Sequence, residues 1–141
     1  MIVARRKNAL LIGVLWLAAV AVVVLLMPES KDSFMLWFWP SISLLLMVLG
    51  LLVYLGSYML LAGFNTMTEK ERSAYDLEKV TSFTGASLVL LSYLFFLMWP
   101  AIVLFDGMAL FWVMFVVFIC GTFFMIAFLN SKRFKKNPQT K

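Results

Sequence analysis

The 141-residue chain contains no histidine and a single cysteine, Cys120. One cysteine closes no internal disulfide, and without imidazole it cannot be the nucleophile of a Cys-His pair. The same two shortages argue against a zinc site and a histidine-ligated haem, so no cofactor and no metal is expected. Cys120 lies in an apolar run and reads as a small hydrophobe facing lipid or core. Charge is also scarce. Only 13% of residues are Asp, Glu, Lys or Arg and 64% are hydrophobic, against about 25% and about 45–50% in an ordinary globular domain. A core of this size cannot hide so much apolar surface, so the bilayer is expected to be the solvent for most of it.

What is present falls into four apolar runs, about 9–27, 41–62, 80–105 and 108–129. The first follows Arg5, Arg6 and Lys7, as a signal peptide would. It is longer than the usual hydrophobic region of such a peptide, and no Ala-x-Ala-like site precedes Pro28. It is therefore read as a retained span, with Trp16 as a packing residue. A polar turn with Glu29, Lys31 and Asp32 follows, then Trp37 and Trp39, which suit the headgroup belt. Pro40 suits the first position of the second helix, where its missing N–H costs nothing. Gly56 and Gly63 share one helical face with Gly50 nearby, where small residues would let a neighbouring helix approach. Trp99-Pro100 predicts a kink near the end of the third run, and Phe105-Asp106-Gly107 a tight reversal into the fourth, with Trp112 near its start.

Lys and Arg are distributed unevenly. Eleven of the twelve lie in the amino end, the 63–79 loop and the 130–141 tail, and only Lys31 lies on the other side. The positive-inside rule then puts both termini and the loop in the cytoplasm, and the tryptophans at the outer interface. The basic balance marks orientation rather than nucleic acid, because no basic-plus-aromatic surface exists outside the spans. The expected fold is an all-α integral membrane protein of one domain, residues 1–141. It has four transmembrane helices in two antiparallel hairpins, with a short cytoplasmic helix between spans two and three. The expected location is the inner (cytoplasmic) membrane.

Within the loop, Thr68-Glu69-Lys70-Glu71 has the form of a capping box, and Asp76 can cap a second start at Leu77. This predicts a surface helix of about two turns over 69–75, with Met67, Ala74 and Tyr75 toward the membrane.

Gly63-Phe64-Asn65-Thr66-Met67-Thr68-Glu69-Lys70-Glu71-Arg72, with Tyr75-Asp76 and later Gly85, resembles the signature of a widespread bacterial family of small membrane proteins. It is the domain-of-unknown-function family numbered 3784. The resemblance covers about Met35 to Leu129 and leaves the first span as an addition. In that family the signature lies between the first and second of about three spans. It implies a membrane topology, marks the loop as the shared feature, and implies no catalytic residue.

No Asp, Glu, Lys or Arg lies inside the spans as drawn. Ion-coupled transporters, including small four-span multidrug exporters, need such a group near the midplane. The intramembrane hydroxyls are expected to bond their own helix carbonyls or join helices. No serine has a histidine or a membrane lysine as base, and the acids of the loop are spaced as solvated helix ends, so no enzyme is expected. The principal reading is an accessory or assembly subunit that binds another membrane protein or a second copy of itself, besides membrane lipid. Its candidate contact residues are Asn65, Thr66, Thr68, Glu69, Glu71, Arg72, Tyr75 and Asp76; the same loop also reads as a plain connector. The alternative is a transporter-like or immunity-type protein. It would bind a lipid, hydrophobic peptide or neutral solute in a groove lined by Tyr54, Tyr58, Ser92 and Tyr93.

Overall fold

In a stretch without water-facing groups, a backbone satisfies its N–H and C=O groups most simply within itself, and the apolar runs accordingly form helices. The computed structural model describes residues 2–26, 33–61, 63–105, 108–129 and 134–135, and over these the chain is all-α. Helix α1 spans Ile2–Leu26, α2 Ser33–Tyr54, α3 Glu69–Ser73, α4 Leu77–Phe105 and α5 Met108–Leu129, with a 3-10 turn at Tyr58–Leu60. Three described helices, α1, α4 and α5, are long and apolar enough to cross a membrane. Helix α2 adds a shorter apolar stretch, Phe38–Tyr54.

Helix α4 is the centre. It packs antiparallel to α2, with Trp39 on Phe95 at one end and Tyr54 beside Gly85 toward the other. On its other side it packs antiparallel to α5 through the pairs Phe95–Phe118 and Phe83–Phe128. Helix α1 lies across α2 and α4, with the Trp16 ring 6.0 Å from that of Phe96. Nearly half of the apolar stretch of α4 is buried, whereas no residue of α5 is. An outer face so apolar is what a helix bordering lipid presents.

The α2–α4 crossing is set by two glycines. A Cβ placed on Gly85 would overlap the backbone N and Cα of Tyr54, and one on Gly50 would lie 2.9 Å from the backbone N of Val89. The two backbones therefore touch, and every other α2–α4 contact is hung on that spacing. One layer deeper, the Trp16 indole Nε1 donates to the Ser43 hydroxyl at 3.2 Å, which donates to the Ser92 carbonyl at 2.8 Å. Ser92 donates back to the Val89 carbonyl at 2.7 Å, so a buried chain of hydrogen bonds joins α1, α2 and α4. Tyr93 adds a bond from its hydroxyl to the carbonyl of Ile12.

Three details differ from the sequence reading. The second helix occupies Ser33–Tyr54 rather than about 41–62. Its end is a Schellman motif in which the Gly56 N–H donates to the Val53 carbonyl and the Ser57 N–H to that of Leu52. Gly56 and Gly63 have φ of +114° and +91°, so both serve turns, not helix packing. Pro40 lies inside α2 and is buried, its one lost backbone bond tolerated within a helix that continues on both sides. The turn with Glu29, Lys31 and Asp32, the side chains of Trp37 and Trp99, Asp106-Gly107, and all of the tail except 134–135 lie outside the described residues.

A glycine-to-alanine change inside a helix ordinarily stabilises by about 1 kcal/mol. Gly85→Ala is expected to do the reverse and cost about 2 kcal/mol, because the methyl overlaps fixed backbone. Gly121→Ala, whose new Cβ would meet only a Leu91 methyl at 3.4 Å, serves as the control. Thermal unfolding in one detergent should separate the two, and equal behaviour would contradict the close crossing.

Candidate functional site

The polar chemistry of the described chain gathers at one end, where the loop 63–76, the start of α1, the start of α4 and residues 134–135 meet. The loop is rigid for local reasons. Thr68 and Glu71 form the capping box, the Thr68 backbone N–H and hydroxyl each donating to the Glu71 carboxylate at 2.9 Å, and the Glu71 N–H donating to the Thr68 hydroxyl at 3.3 Å. The helix so started is Glu69–Ser73, one turn rather than two. Ala74 already serves as its C-cap, and Tyr75 turns away to pack its ring on Phe64. Thr66 donates to the Gly63 carbonyl, and the Arg72 guanidinium donates to the Met67 carbonyl at 2.9 Å while lying 5.1 Å over the Tyr58 ring.

The tail then locks the loop from below. Tyr75 and Lys135 form an isolated antiparallel bridge, and the Asp76 N–H donates to the Phe134 carbonyl at 2.8 Å. The Phe134 ring, 5% exposed, enters a cluster with Val53, Leu61 and Val80, and Lys135 Nζ lies 5.9 Å over the Tyr75 ring. From the other side Arg5 of α1 binds the Glu78 carboxylate at 3.1 Å and its carbonyl at 3.3 Å, with Tyr54 beneath it. Asp76 caps α4 by accepting from the Lys79 N–H and pairs with the Lys79 ammonium at 3.2 Å.

Electrostatics follow these bonds. The Thr68 backbone N–H, and then its hydroxyl, hold the Glu71 carboxyl below its ordinary value of 4.5. For Asp76 the largest single influence is burial, which raises its pKa. The hydrogen bonds and charge of Lys79, with a bond from the Glu78 backbone, together outweigh it and leave the carboxyl below 3.8.

The eight loop residues marked in the sequence divide by role. Asn65, Thr66, Thr68, Glu69 and Glu71 are exposed, whereas Arg72, Tyr75 and Asp76 are half-buried. Glu69, Arg72, Tyr75 and Asp76, with Ser73 and Glu78, line one open depression of about 400 Å³. The four candidate groove residues are not gathered in this way. Tyr54 and Tyr58 sit under Arg5 and Arg72 at the polar end. Ser92 and Tyr93 lie deeper along α4, about 10 Å beyond Gly85 at 1.5 Å per residue. The tail's contribution through Phe134 and the Arg5–Glu78 pair escaped the sequence reading. A phenylalanine in a basic tail, past the end of the apolar run, carries no periodic pattern to betray it. Cys120 is exposed on α5.

With the loop and its supports in view, a comparison with protein families finds one whose signature matches residues 40–133, described as Domain of unknown function (DUF3784). The chain belongs to this family. Neither curated proteins nor solved structures gave a match. The matched segment runs from within α2 through the whole of α5, so the family region contains the α2–α4 crossing and the loop, and stops just before Phe134 and Lys135. Helix α1, with Arg5 and Trp16, lies outside it.

Two outcomes are expected of this arrangement. Phe134→Ala should remove about 3 kcal/mol of anchoring. The amide of Asp76 would then exchange roughly a hundredfold faster, while amides in the middle of α4 stay protected. Because Glu71 titrates below its ordinary value, its contribution to loop order is complete above 4.5 and is lost as pH falls through the lowered value. Hydrogen exchange over 69–73 should therefore be constant from about pH 7 to about pH 5, after correction for intrinsic rates, and rise on further acidification. In Glu71→Gln this rise should vanish.

Proposed function

We propose that this family member is a non-enzymatic membrane subunit that presents the loop 63–76 as a preformed docking surface for a partner protein in the cytoplasm. The observation that carries the reading is the depression formed by Glu69, Arg72, Ser73, Tyr75, Asp76 and Glu78. Its walls are fixed by a capping box, a tail strand contact and the buried Phe134 ring, so little ordering remains to oppose binding. A simple connector needs the cap but has no use for a surface braced from α1 and the tail as well.

The proposed topology has four spans. Helix α2 contains 22 residues, about 33 Å at 1.5 Å each, which matches a hydrocarbon core of about 30 Å. Arg5, Lys70, Arg72, Lys79 and Lys135 lie at one end of the bundle. Trp39 and Trp112 pack on Phe111 at the other. This separation supports both termini and the loop facing the cytoplasm of the inner membrane. A second reading, a transporter-like or immunity-type protein that holds an apolar ligand, draws on a different place, the cavity beneath the loop.

A photoreactive residue at Ser73, which is exposed, tests the docking reading in native membranes. The expected result is one discrete protein adduct that is lost with Glu69→Arg and retained with Lys7→Gln. Adducts with lipid alone, or an adduct indifferent to Glu69→Arg, would contradict it.

A further inference from the structure

Beneath the loop lies a second cavity, of about 510 Å³, between Leu60, Leu61 and the Gly63–Met67 turn on one side and α4 and α5 on the other, a size ordinary for a ligand site. Its lining is mostly apolar, including Leu61, Phe64, Leu88 and Met125, with two hydroxyl residues, Thr84 and Tyr75. Leu60 and Ile126, both about half exposed, flank it on the lipid-facing side, while Leu61 and Thr84 are buried.

Thr84 is the unusual group. It is 2% exposed, and its hydroxyl has no hydrogen-bond partner among the described residues. Other described helical threonines behave differently: Thr81 donates to the Leu77 carbonyl and Thr122 to that of Phe118. A buried, unmade hydroxyl bond is costly unless something else makes it. Among the described residues, the other buried side-chain polar atom without a partner is Arg72 Nε. Arg72 reaches the cavity's rim through its bond to the carbonyl of Met67, one of the lining residues. Lys135 stands over the ring of Tyr75, another lining residue. An apolar chamber open toward lipid thus has an unpartnered hydroxyl buried in its wall and two cations next to its lining residues Met67 and Tyr75.

We infer that this cavity holds one acyl chain of an anionic glycerophospholipid. The Thr84 hydroxyl donates to an ester oxygen of the lipid, and Arg72 and Lys135 face its phosphate. The apolar lining takes the chain, the hydroxyl takes a group that every glycerophospholipid carries at the chain's head, and the cations select negative charge. The inference gives the second reading of function a ligand class and a place. It rests on the membrane topology and not on the docking surface, so loss of partner crosslinking leaves it standing.

The test is lipid retention by the full chain in mild detergent, read by native mass spectrometry after equilibration with equal phosphatidylglycerol and phosphatidylcholine. The expected result is one retained phosphatidylglycerol per chain, favoured about tenfold. Thr84→Val, which keeps the side-chain shape, should weaken retention about fivefold. Met125→Trp, which fills the chamber, should abolish it. Thr122→Val should leave retention unchanged. Equal retention of phosphatidylcholine, no retained lipid, retention of free fatty acid in its place, or retention unchanged by both Thr84→Val and Met125→Trp would overturn the inference.

Discussion

The structure depends on how closely two backbones approach. Where α2 crosses α4, Gly85 leaves room for the main chain of Tyr54, and Gly50 for that of Val89. Between helices that face lipid on their outer sides there is little hydrophobic force to press them together, so dispersion between close backbones and buried hydrogen bonds must supply the attraction. Both are present: the glycine contact, and one layer deeper the Trp16–Ser43–Ser92 chain. The crossing also fixes where α2 stops relative to α4. With Tyr54 held against Gly85, the chain leaves α2 at Gly56 beside the first turns of α4, which run on past it to Leu77, and the loop folds over that end. The polar surface is a consequence of the packing below it.

That surface is built by convergence. The loop's internal bonds would make a short capped turn by themselves. Its orientation comes from Phe134 entering the cluster of Val53, Leu61 and Val80, and from Arg5 gripping Glu78. Exposed ion pairs contribute little individually. The Arg5 side chain, however, is largely buried, stacks near Tyr54 and makes a backbone bond as well as an ion pair. Three separated parts of the sequence thereby fix one small surface and roof one apolar chamber. The Tyr75 side chain belongs to both features, since it lines the open depression above and the cavity below. An occupant of either would feel a movement of that ring.

Much of this was readable from local chemistry. The apolar runs announced helices, the missing histidine narrowed the chemistry, and Thr68 to Glu71 declared its cap because that signal needs only four adjacent residues. Asp76 before Leu77 was legible for the same reason. The end of α2 was not, because Gly56 sits in an apolar run and resembles a packing glycine until its φ is known. Gly85 appeared only as part of a family resemblance, since a close backbone approach leaves no mark beyond the glycine itself. Pro40 suggested a helix start, but in an apolar helix its lost bond is tolerated. Phe134 was invisible because, apart from nearby Phe128, its cluster partners Val53, Leu61 and Val80 lie more than fifty residues away in sequence. Local signals survive in one dimension; contacts that close the bundle do not.

The central proposal is that the surface assembled from the amino end, the loop and the tail faces the cytoplasm. A membrane-impermeant maleimide tests it most directly, applied to Lys70→Cys and Lys135→Cys, each in a Cys120→Ser background, in sealed right-side-out and inverted vesicles. The account predicts that both cysteines react only in inverted vesicles. Reaction of either in right-side-out vesicles, or opposite sidedness for the two, would contradict it.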